Sequence, residues 1–252
     1  MRRGTAGAPP LVILHGWRQT HEVMLPLAEL LADIADLHLI DLPGFGGSPA
    51  PHEVWGTQDF ADCILRYMDR ECIRCADFIG HSFGGKTSLK IAAMRPERAG
   101  RLIIVDASGI PAVRPFQRRM KILAIRRLRS VLRALQRFGV PLYEKWFIPR
   151  FASPDYLAAG GMKNTFVRIV NEDLTAELPR ITSPTLLLWG ELDDDTPPAV
   201  GEKMSELIRG SDLVVLPGRG HYPFLGSDAQ VCAYHIRKFL ERTAVKQNTA
   251  VS

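Results

Sequence analysis

The sequence predicts an α/β fold in which a mostly parallel β-sheet carries helices on both faces. Six short runs of β-branched and aliphatic residues are each followed by a loop and a helical pattern, which is typical of parallel βα units. The runs are almost continuously apolar, so both faces of the sheet are expected to be covered. Between residues 109 and 178 only helical patterns occur, which predicts a helical insertion.

The six predicted strands all end in polar or turn-forming residues. In chain order they are residues 11–16, 37–44, 77–82, 101–109, 185–193 and 212–221. Ligands of open α/β sheets bind beyond the carboxyl ends of the strands. We therefore expect the functional residues to lie at that edge, with residues 1–108 and 179–252 forming the core around the insertion.

Composition indicates one reduced globular protein. The chain has 252 residues, of which 46% are hydrophobic and 23% charged, and it needs no disulfide or metal to fold. Its four cysteines are scattered, and Cys72 and Cys75 lack a second pair at zinc-like spacing. No apolar segment reaches the length of about 18 residues that spans a membrane. A soluble, cytoplasmic protein is expected.

Positive charge is concentrated in the insertion. The net charge is +5, yet residues 111–150 contain eleven Lys or Arg residues and one acid, Glu144. Three interpretations stay open: a solvated face, a surface for an acidic partner such as an acyl carrier protein, or docking to an anionic membrane. The segment has no nucleic-acid-binding module, so nucleic acid is not expected as a partner. The sequence leaves the oligomeric state undetermined.

The stretch GHSFGG, residues 80–85, places Ser82 between a predicted strand and a predicted helix. This arrangement exposes a serine Oγ on a sharp turn. The N–H of Phe83 lies at the helix N-terminus, where it can stabilise negative charge. Ser82 is therefore the candidate nucleophile, and Phe83 a candidate oxyanion donor.

A serine nucleophile needs a base and a group that orients the base. His221 follows the last predicted strand, and Asp193, Asp194 and Asp195 follow the strand before it. The order Ser, Asp, His is the one expected for a hydrolase of this architecture.

Five motifs together resemble the α/β-hydrolase superfamily over nearly the whole chain outside the insertion. They are HG at 15–16, DLPGFGGS at 41–48, GHSFGG at 80–85, WGELDDDTP at 189–197 and GRGHYPF at 218–224. The resemblance implies Asp193 as the acid, although some members place the acid at the position of Asp106. It also implies that the Trp17 N–H is the second oxyanion donor and that residues 109–178 form a helical cap.

The resemblance assigns structural or supporting roles to His15, Asp41 and His81. It also implies two antiparallel strands before the HG motif, but only fourteen residues precede His15. We therefore expect both strands to be missing, either because the sheet has lost its first edge or because the true start lies upstream.

The function implied is that of a serine hydrolase acting on carboxylic esters, with no metal or organic cofactor. HGW and DLPGFG resemble the esterases that cleave the methyl ester of pimeloyl-acyl carrier protein. Carbon–carbon hydrolysis, perhydrolysis or an acyl carrier protein ester remain alternatives for the same triad, and a small-molecule sensor is a further one. An apolar pocket is predicted from Phe116, Met120, Trp146, Phe147 and Tyr222.

Overall fold

A seven-stranded sheet runs through the described part of the chain, which comprises residues 1–5, 7–111, 116–136 and 142–249 of the computed structural model. The strands are β1 (Arg2–Gly4), β2 (Pro10–Leu14), β3 (Asp36–Ile40), β4 (Ala76–His81), β5 (Ala99–Val105), β6 (Thr185–Gly190) and β7 (Asp212–Leu216). Their order is β1-β3-β2-β4-β5-β6-β7, and every neighbouring pair is parallel except β1 and β3. The six strands predicted from the sequence are therefore confirmed as β2 to β7.

Helices connect the parallel strands. They are α1 (Leu25–Glu29), α2 (Thr57–Arg70), α3 (Phe83–Met94), α4 (Phe116–Gln136), α5 (Ile148–Phe151), α6 (Pro154–Ala158), α7 (Lys163–Asn171), α8 (Pro198–Leu207) and α9 (Asp228–Thr249). Between β5 and β6 the described residues form helices and no strand. This agrees with the predicted insertion, while the division of the chain into core and cap stays a prediction. None of the described helices is long and apolar enough to cross a membrane.

Both faces of the sheet are packed, as the apolar strands predict. Successive side chains of a strand point to opposite faces. In β2, Val12 and Leu14 belong to a buried cluster that includes side chains of α2, α3 and α8. Leu11 and Ile13 belong to a second cluster with α1 and α9. The sheet therefore lies between two layers of helices.

One edge of the sheet corrects the sequence-based expectation. Both leading antiparallel strands were expected to be missing, but β1 pairs antiparallel with β3 over three residues. The Arg2 guanidinium also hydrogen-bonds the Asp36 carboxylate. The strand was missed because three exposed residues, Arg-Arg-Gly, carry no apolar pattern.

The fold brings the candidate residues to one edge of the sheet. Trp17 follows β2, Ser82 follows β4, Asp106 follows β5, Asp193 follows β6 and His221 follows β7. These five strands are consecutive neighbours in the sheet and parallel to one another. Residues distant in sequence therefore meet at the carboxyl ends of the strands.

Candidate active site

Ser82 occupies a strained turn between β4 and α3. Its φ of 50° and ψ of −110° are unusual for a residue with a side chain. The Ser82 N–H donates to the Val105 carbonyl at 3.0 Å, and the Ser82 carbonyl accepts from the N–H groups of Lys86 and Ser108. Because backbone hydrogen bonds hold the turn on both sides, the surrounding structure offsets the free-energy cost of this strained conformation.

Two glycines allow this turn to close. A Cβ at Gly80 would lie 2.5 Å from the Gly84 carbonyl oxygen, and one at Gly84 would lie 2.3 Å from the Leu14 carbonyl oxygen. Both distances are too short for real atoms, so the start of α3 contacts the end of β2 directly. This contact brings the segment after β2, with Trp17, towards Ser82.

The predicted oxyanion donors are the backbone N–H groups of Trp17 and Phe83. Phe83 is the first residue of α3, where N–H groups lack partners within the helix. Among the described residues, neither N–H donates to a protein acceptor. Both residues line the same cavity as Ser82, so both amides are available to a ligand there.

His221 and Asp193 form a short, buried contact. His221 Nδ1 lies 2.8 Å from Asp193 Oδ2, and the Asp193 side chain is fully buried. Asp193 Oδ1 also accepts the N–H groups of Asp195 and Thr196, and the Thr196 hydroxyl lies 2.7 Å from Oδ2. Burial acts to raise the pKa of Asp193, but hydrogen bonds from His221 and Thr196 outweigh it and hold that pKa below its ordinary value. Asp193 is therefore an anion that can orient the imidazole of His221.

His81 packs against His221 and contacts its backbone. Its ring lies 4.8 Å from the His221 ring, and its Nε2 lies 2.8 Å from the His221 carbonyl oxygen. Burial, with a smaller contribution from His221, lowers the pKa of His81 to about 3. His81 is therefore neutral, and the tautomer with hydrogen on Nε2 donates to that carbonyl.

His15 and Asp41 have comparable supporting positions. His15 Nε2 accepts the Leu42 N–H, and the Asp41 carboxylate accepts the N–H groups of His21 and Gly47. These contacts hold the loops that follow β2 and β3.

Ser82 and His221 line one cavity of about 710 Å³. Its wall combines aromatic and aliphatic side chains with polar and charged residues; among them are Trp17, Gln19, Phe83, Lys86, Ser108, Ile110, Asp155, Phe166, Ile169, Asn171, Thr196 and Tyr222. Among the described residues, no hydrogen bond joins Ser82 Oγ to His221. Catalytic hydrogen bonds are often long in unliganded enzymes and shorten when substrate binds.

The structure places the predicted pocket residues in different positions relative to the cavity. Tyr222 lines the cavity, as expected. Trp146 and Phe147 instead contact Phe151 in an aromatic cluster, and neither is among the described residues that line the cavity. The side chains of Phe116 and Met120 lie outside the described residues.

Lys86 is a cavity residue that the sequence analysis missed. It is buried on α3, and its Nζ donates to the carbonyls of Ile169 and Glu172 at 2.5 and 2.7 Å. Burial lowers the pKa of Lys86 to about 8. Its position four residues after Ser82 was the available signal, since residues at i and i+4 share a helix face.

The four aspartates that could serve as the triad acid have different surroundings in the structure. His221 Nδ1 contacts Asp193, whereas Asp194 is exposed and Asp195 contributes a backbone N–H. Asp106 is buried and accepts the Gly190 N–H. The geometry thus favours Asp193 over Asp106 as the partner of the histidine.

One group of side chains has the composition of a metal site. Asp193, Asp195 and His221 offer ligand atoms within 4.8 Å of one another. The Asp193 oxygens already receive hydrogen bonds from His221, Thr196 and the Asp195 N–H, which a cation would displace. The arrangement is thus explained without a metal.

Comparison with known proteins agrees with this architecture. The sequence pattern of the alpha/beta hydrolase family matches residues 11–233. The chain is 30% identical over 241 residues to the pimeloyl-[acyl-carrier protein] methyl ester esterase of Aeromonas salmonicida (strain A449), covering 88% of this chain and 92% of the relative. It is 29% identical over 235 residues to the enzyme of the same name from Pectobacterium carotovorum subsp. carotovorum (strain PC1), covering 87% and 90%.

Solved structures show the same fold. The crystal structure of the enol-lactonase from Burkholderia xenovorans LB400 superposes with a TM-score of 0.73 at 22% identity, covering 96% of this chain and 95% of that one. A hydrolase from Pseudomonas aeruginosa PA01 superposes with a TM-score of 0.72 at 24% identity, covering 95% and 92%. The match over residues 11–233 and the shared fold lead to one conclusion: the chain belongs to the alpha/beta hydrolase family.

Proposed function

We propose that this protein is a carboxylic ester hydrolase that works through an acyl-enzyme on Ser82. The observation that carries the proposal is the shared cavity: Ser82 and His221 both line it, and Asp193 holds the His221 ring at 2.8 Å. The named relatives, at 29 and 30% identity over most of the chain, are esterases.

Acylation uses the groups at the carboxyl ends of the strands. His221 takes the Ser82 hydroxyl proton as Ser82 Oγ attacks the ester carbonyl. Asp193 stabilises the imidazolium that forms. The amides of Trp17 and Phe83 donate to the oxyanion, and the loss of one such donor typically costs about 3 to 4 kcal/mol of transition-state stabilisation. His221 then returns the proton to the leaving alcohol.

Deacylation repeats these steps with water. His221 removes a proton from water, which attacks the acyl carbonyl. The tetrahedral intermediate then collapses, the Ser82 Oγ–acyl bond breaks, and His221 returns the proton to Ser82 Oγ as the carboxylic acid leaves. The chain's own residues suffice for each proton transfer.

For the substrate class, we propose an ester of an acyl chain attached to an acyl carrier protein. The relatives are named for such a substrate. The insertion supplies a fitting surface, since Arg127, Arg129 and Arg133 of α4 are exposed in a segment with a large excess of positive charge. Electrostatic complementarity of this kind chiefly accelerates the encounter of partners. The cytoplasmic location expected from the cysteine content stays a prediction.

The first experiment measures release of p-nitrophenol from acetate, butyrate, octanoate and laurate esters. Ser82→Ala should lower turnover by about 10⁴ to 10⁶ because the nucleophile is lost. Ser205→Ala is the matched control, since the Ser205 hydroxyl bonds the Glu202 carbonyl within α8, away from the cavity. Equal activity of the wild type and Ser82→Ala would refute the mechanism.

The second experiment tests the carrier protein. The double variant R127E/R129E should raise KM for a carrier-bound methyl ester about tenfold or more while leaving hydrolysis of a p-nitrophenyl ester unchanged. Arg209→Glu, an exposed charge reversal outside the insertion, is the control. The effect should shrink at high salt, which screens exposed charges.

Two results would contradict the carrier proposal. One is an equal KM for the carrier-bound ester in R127E/R129E and Arg209→Glu. The other is a loss of binding to phosphatidylglycerol vesicles in R127E/R129E with no change on the carrier substrate, which would assign the surface to a membrane instead.

A further inference from the structure

Asp106 is a fully buried carboxyl group with one oxygen unpaired. It follows β5 and has no exposed surface. Its Oδ1 accepts the Gly190 N–H at 2.8 Å, whereas Oδ2 is buried without a hydrogen-bond partner among the described residues. A buried carboxylate oxygen without a donor is costly and calls for an explanation.

The charged neighbour of this carboxyl group is Asp193. Asp106 Oδ1 accepts the Gly190 N–H, and the Asp193 N–H donates to the carbonyl of the same Gly190 at 3.2 Å. The Thr196 hydroxyl contacts both aspartates, so the two residues are neighbours. When both are ionised, each offers only acceptors, so no hydrogen bond can form between them. A proton on one of them removes the repulsion and creates a donor.

Among the described residues, the other groups around Asp106 supply no balancing positive charge. Burial, with a smaller contribution from Asp106, raises the pKa of the Cys232 thiol of α9 to about 12, so that thiol is neutral. From β6 comes the Gly190 N–H, and the loop after β6 contributes Asp193 and Thr196. His221 lies beyond Asp193, on the far side of that carboxylate's hydrogen bond.

The Thr196 hydroxyl cannot satisfy both aspartates. Its oxygen lies 2.7 Å from Asp193 Oδ2 and 3.0 Å from the Asp106 backbone carbonyl oxygen. A hydroxyl has one proton and donates to one acceptor at a time. A proton on Asp106 would add a second donor to this cluster without adding charge.

We propose that Asp106 is held as a neutral carboxylic acid whose Oδ2–H donates to the Asp193 carboxylate and positions it against His221. The inference rests on the proposed function, in which Asp193 orients the catalytic histidine. Asp106 acts through Asp193 and is a positioning residue. Because Asp106 is then neutral, Asp193 is the one ionised member of the pair and interacts with the imidazolium of His221.

Two further observations agree with this role. Burial raises the pKa of Asp106 to about 9, with Asp193 adding to the shift. Asp106 also has a φ of 43°, a conformation that costs free energy and clusters at functional sites.

The decisive variant is Asp106→Asn, compared with Asp193→Asn. Asparagine tolerates positive φ, its Oδ1 can accept the Gly190 N–H and its NH₂ can replace the proposed O–H donor. We expect Asp106→Asn to keep ester turnover within roughly tenfold of the wild type, whereas Asp193→Asn loses about 10⁴. Asp106→Ala, which has no donor, should lower kcat more than Asp106→Asn does while KM changes little.

Stability against pH gives a readout that does not depend on turnover. The folded-state pKa of Asp106 is raised, so its stabilising contribution is present below the unfolded-state pKa and is lost as pH rises towards the folded-state value. Asp106→Asn has no titrating carboxyl group at this position, so its stability should not fall for this reason as pH rises. In urea unfolding between about pH 5 and pH 8, the unfolding constant of the wild type relative to Asp106→Asn should grow roughly tenfold per pH unit.

Three outcomes would overturn the proposal: a turnover loss in Asp106→Asn as large as in Asp193→Asn, turnover in Asp106→Ala equal to that in Asp106→Asn, or a ratio of unfolding constants that does not change with pH. The pH slope is measured without substrate. If the predicted pH slope is found and Ser82→Ala keeps full activity, the ester mechanism is refuted, but the protonated state of Asp106 is still supported.

Discussion

Ser82 and Asp106 have positive φ angles at the carboxyl ends of adjacent strands, β4 and β5. Both backbones are tied across the sheet, since the Ser82 N–H donates to Val105 and the Asp106 N–H donates to Leu188. Ser82 lines the cavity, whereas the Asp106 carboxyl group is buried beside Gly190 of β6. The sequence identified Ser82 from its strand–turn–helix context, but nothing in the chain order indicated that Asp106 would lie beside Asp193.

The three consecutive aspartates offer a test at the scale of one residue. Asp193→Asn should lower kcat by about 10⁴, because an amide cannot stabilise the imidazolium of His221. Asp194→Asn, at an exposed neighbour, should stay near wild-type activity. Steady-state hydrolysis of the same p-nitrophenyl ester measures both. Equal losses in the two variants would show that the role of Asp193 is misassigned.

Helix α3 is the element that joins the nucleophile to the insertion. Lys86 and Lys90 lie one turn apart on it, and Lys90 pairs with Glu177 at 2.8 Å while Lys86 holds the carbonyls of Ile169 and Glu172. Arg18, the residue after Trp17, pairs with Asp155 of α6 at 3.0 Å. Residues 155–177 are therefore tied to the elements that carry Ser82 and Trp17.

Replacement of Lys86 should loosen the end of α7. In Lys86→Met the two carbonyls lose their donor, which should cost about 1 to 2 kcal/mol locally and speed amide exchange roughly tenfold there. Hydrogen–deuterium exchange of Lys163–Asn171 measures this effect. Lys90→Met is the control, because it removes only the pair with Glu177. Unchanged exchange in Lys86→Met would contradict the anchoring role.

The close contact between α3 and β2 should not tolerate a methyl group. Gly84→Ala places a Cβ 2.3 Å from the Leu14 carbonyl oxygen, and we expect destabilisation of about 3 kcal/mol, the upper end of overpacking costs. Gly161→Ala, where nothing lies within 4 Å of the added Cβ, should change stability by less than about 0.5 kcal/mol. Urea unfolding compares them. Similar stabilities of the two variants would argue against the tight turn.

For the molecule as a whole, the short strand β1 protects an edge of the sheet. Its residues pair with β3, and the Met1 ammonium donates to the Leu39 carbonyl at 2.7 Å. β3 itself is almost completely buried, and three of its five residues are Leu or Ile. Without β1, the backbone N–H and C=O groups along this edge of β3 would be unpaired, and such edges pair with other chains.

Removal of residues 1–5 should therefore cause self-association. We expect the truncated chain to elute earlier than the full chain in size-exclusion chromatography with light scattering, increasingly so at higher concentration. Arg3→Ala keeps β1 and alters only an exposed side chain, so it is the control. A truncated chain with the mass of the full chain at every concentration would contradict this role of β1.

Sequence patterns predicted the parallel strands β2 to β7, the helical segments between β5 and β6, and Ser82, Asp193 and His221 as the candidate triad. Local patterns carry this information, because strand periodicity and turn residues act over a few positions. The folded chain alone showed that Asp193 contacts His221 and that Lys86 and Thr196 line the cavity. It also showed that Trp146 and Phe147 are not among the described residues of the cavity wall. Those answers depend on contacts between residues far apart in the chain, which local spacing does not encode.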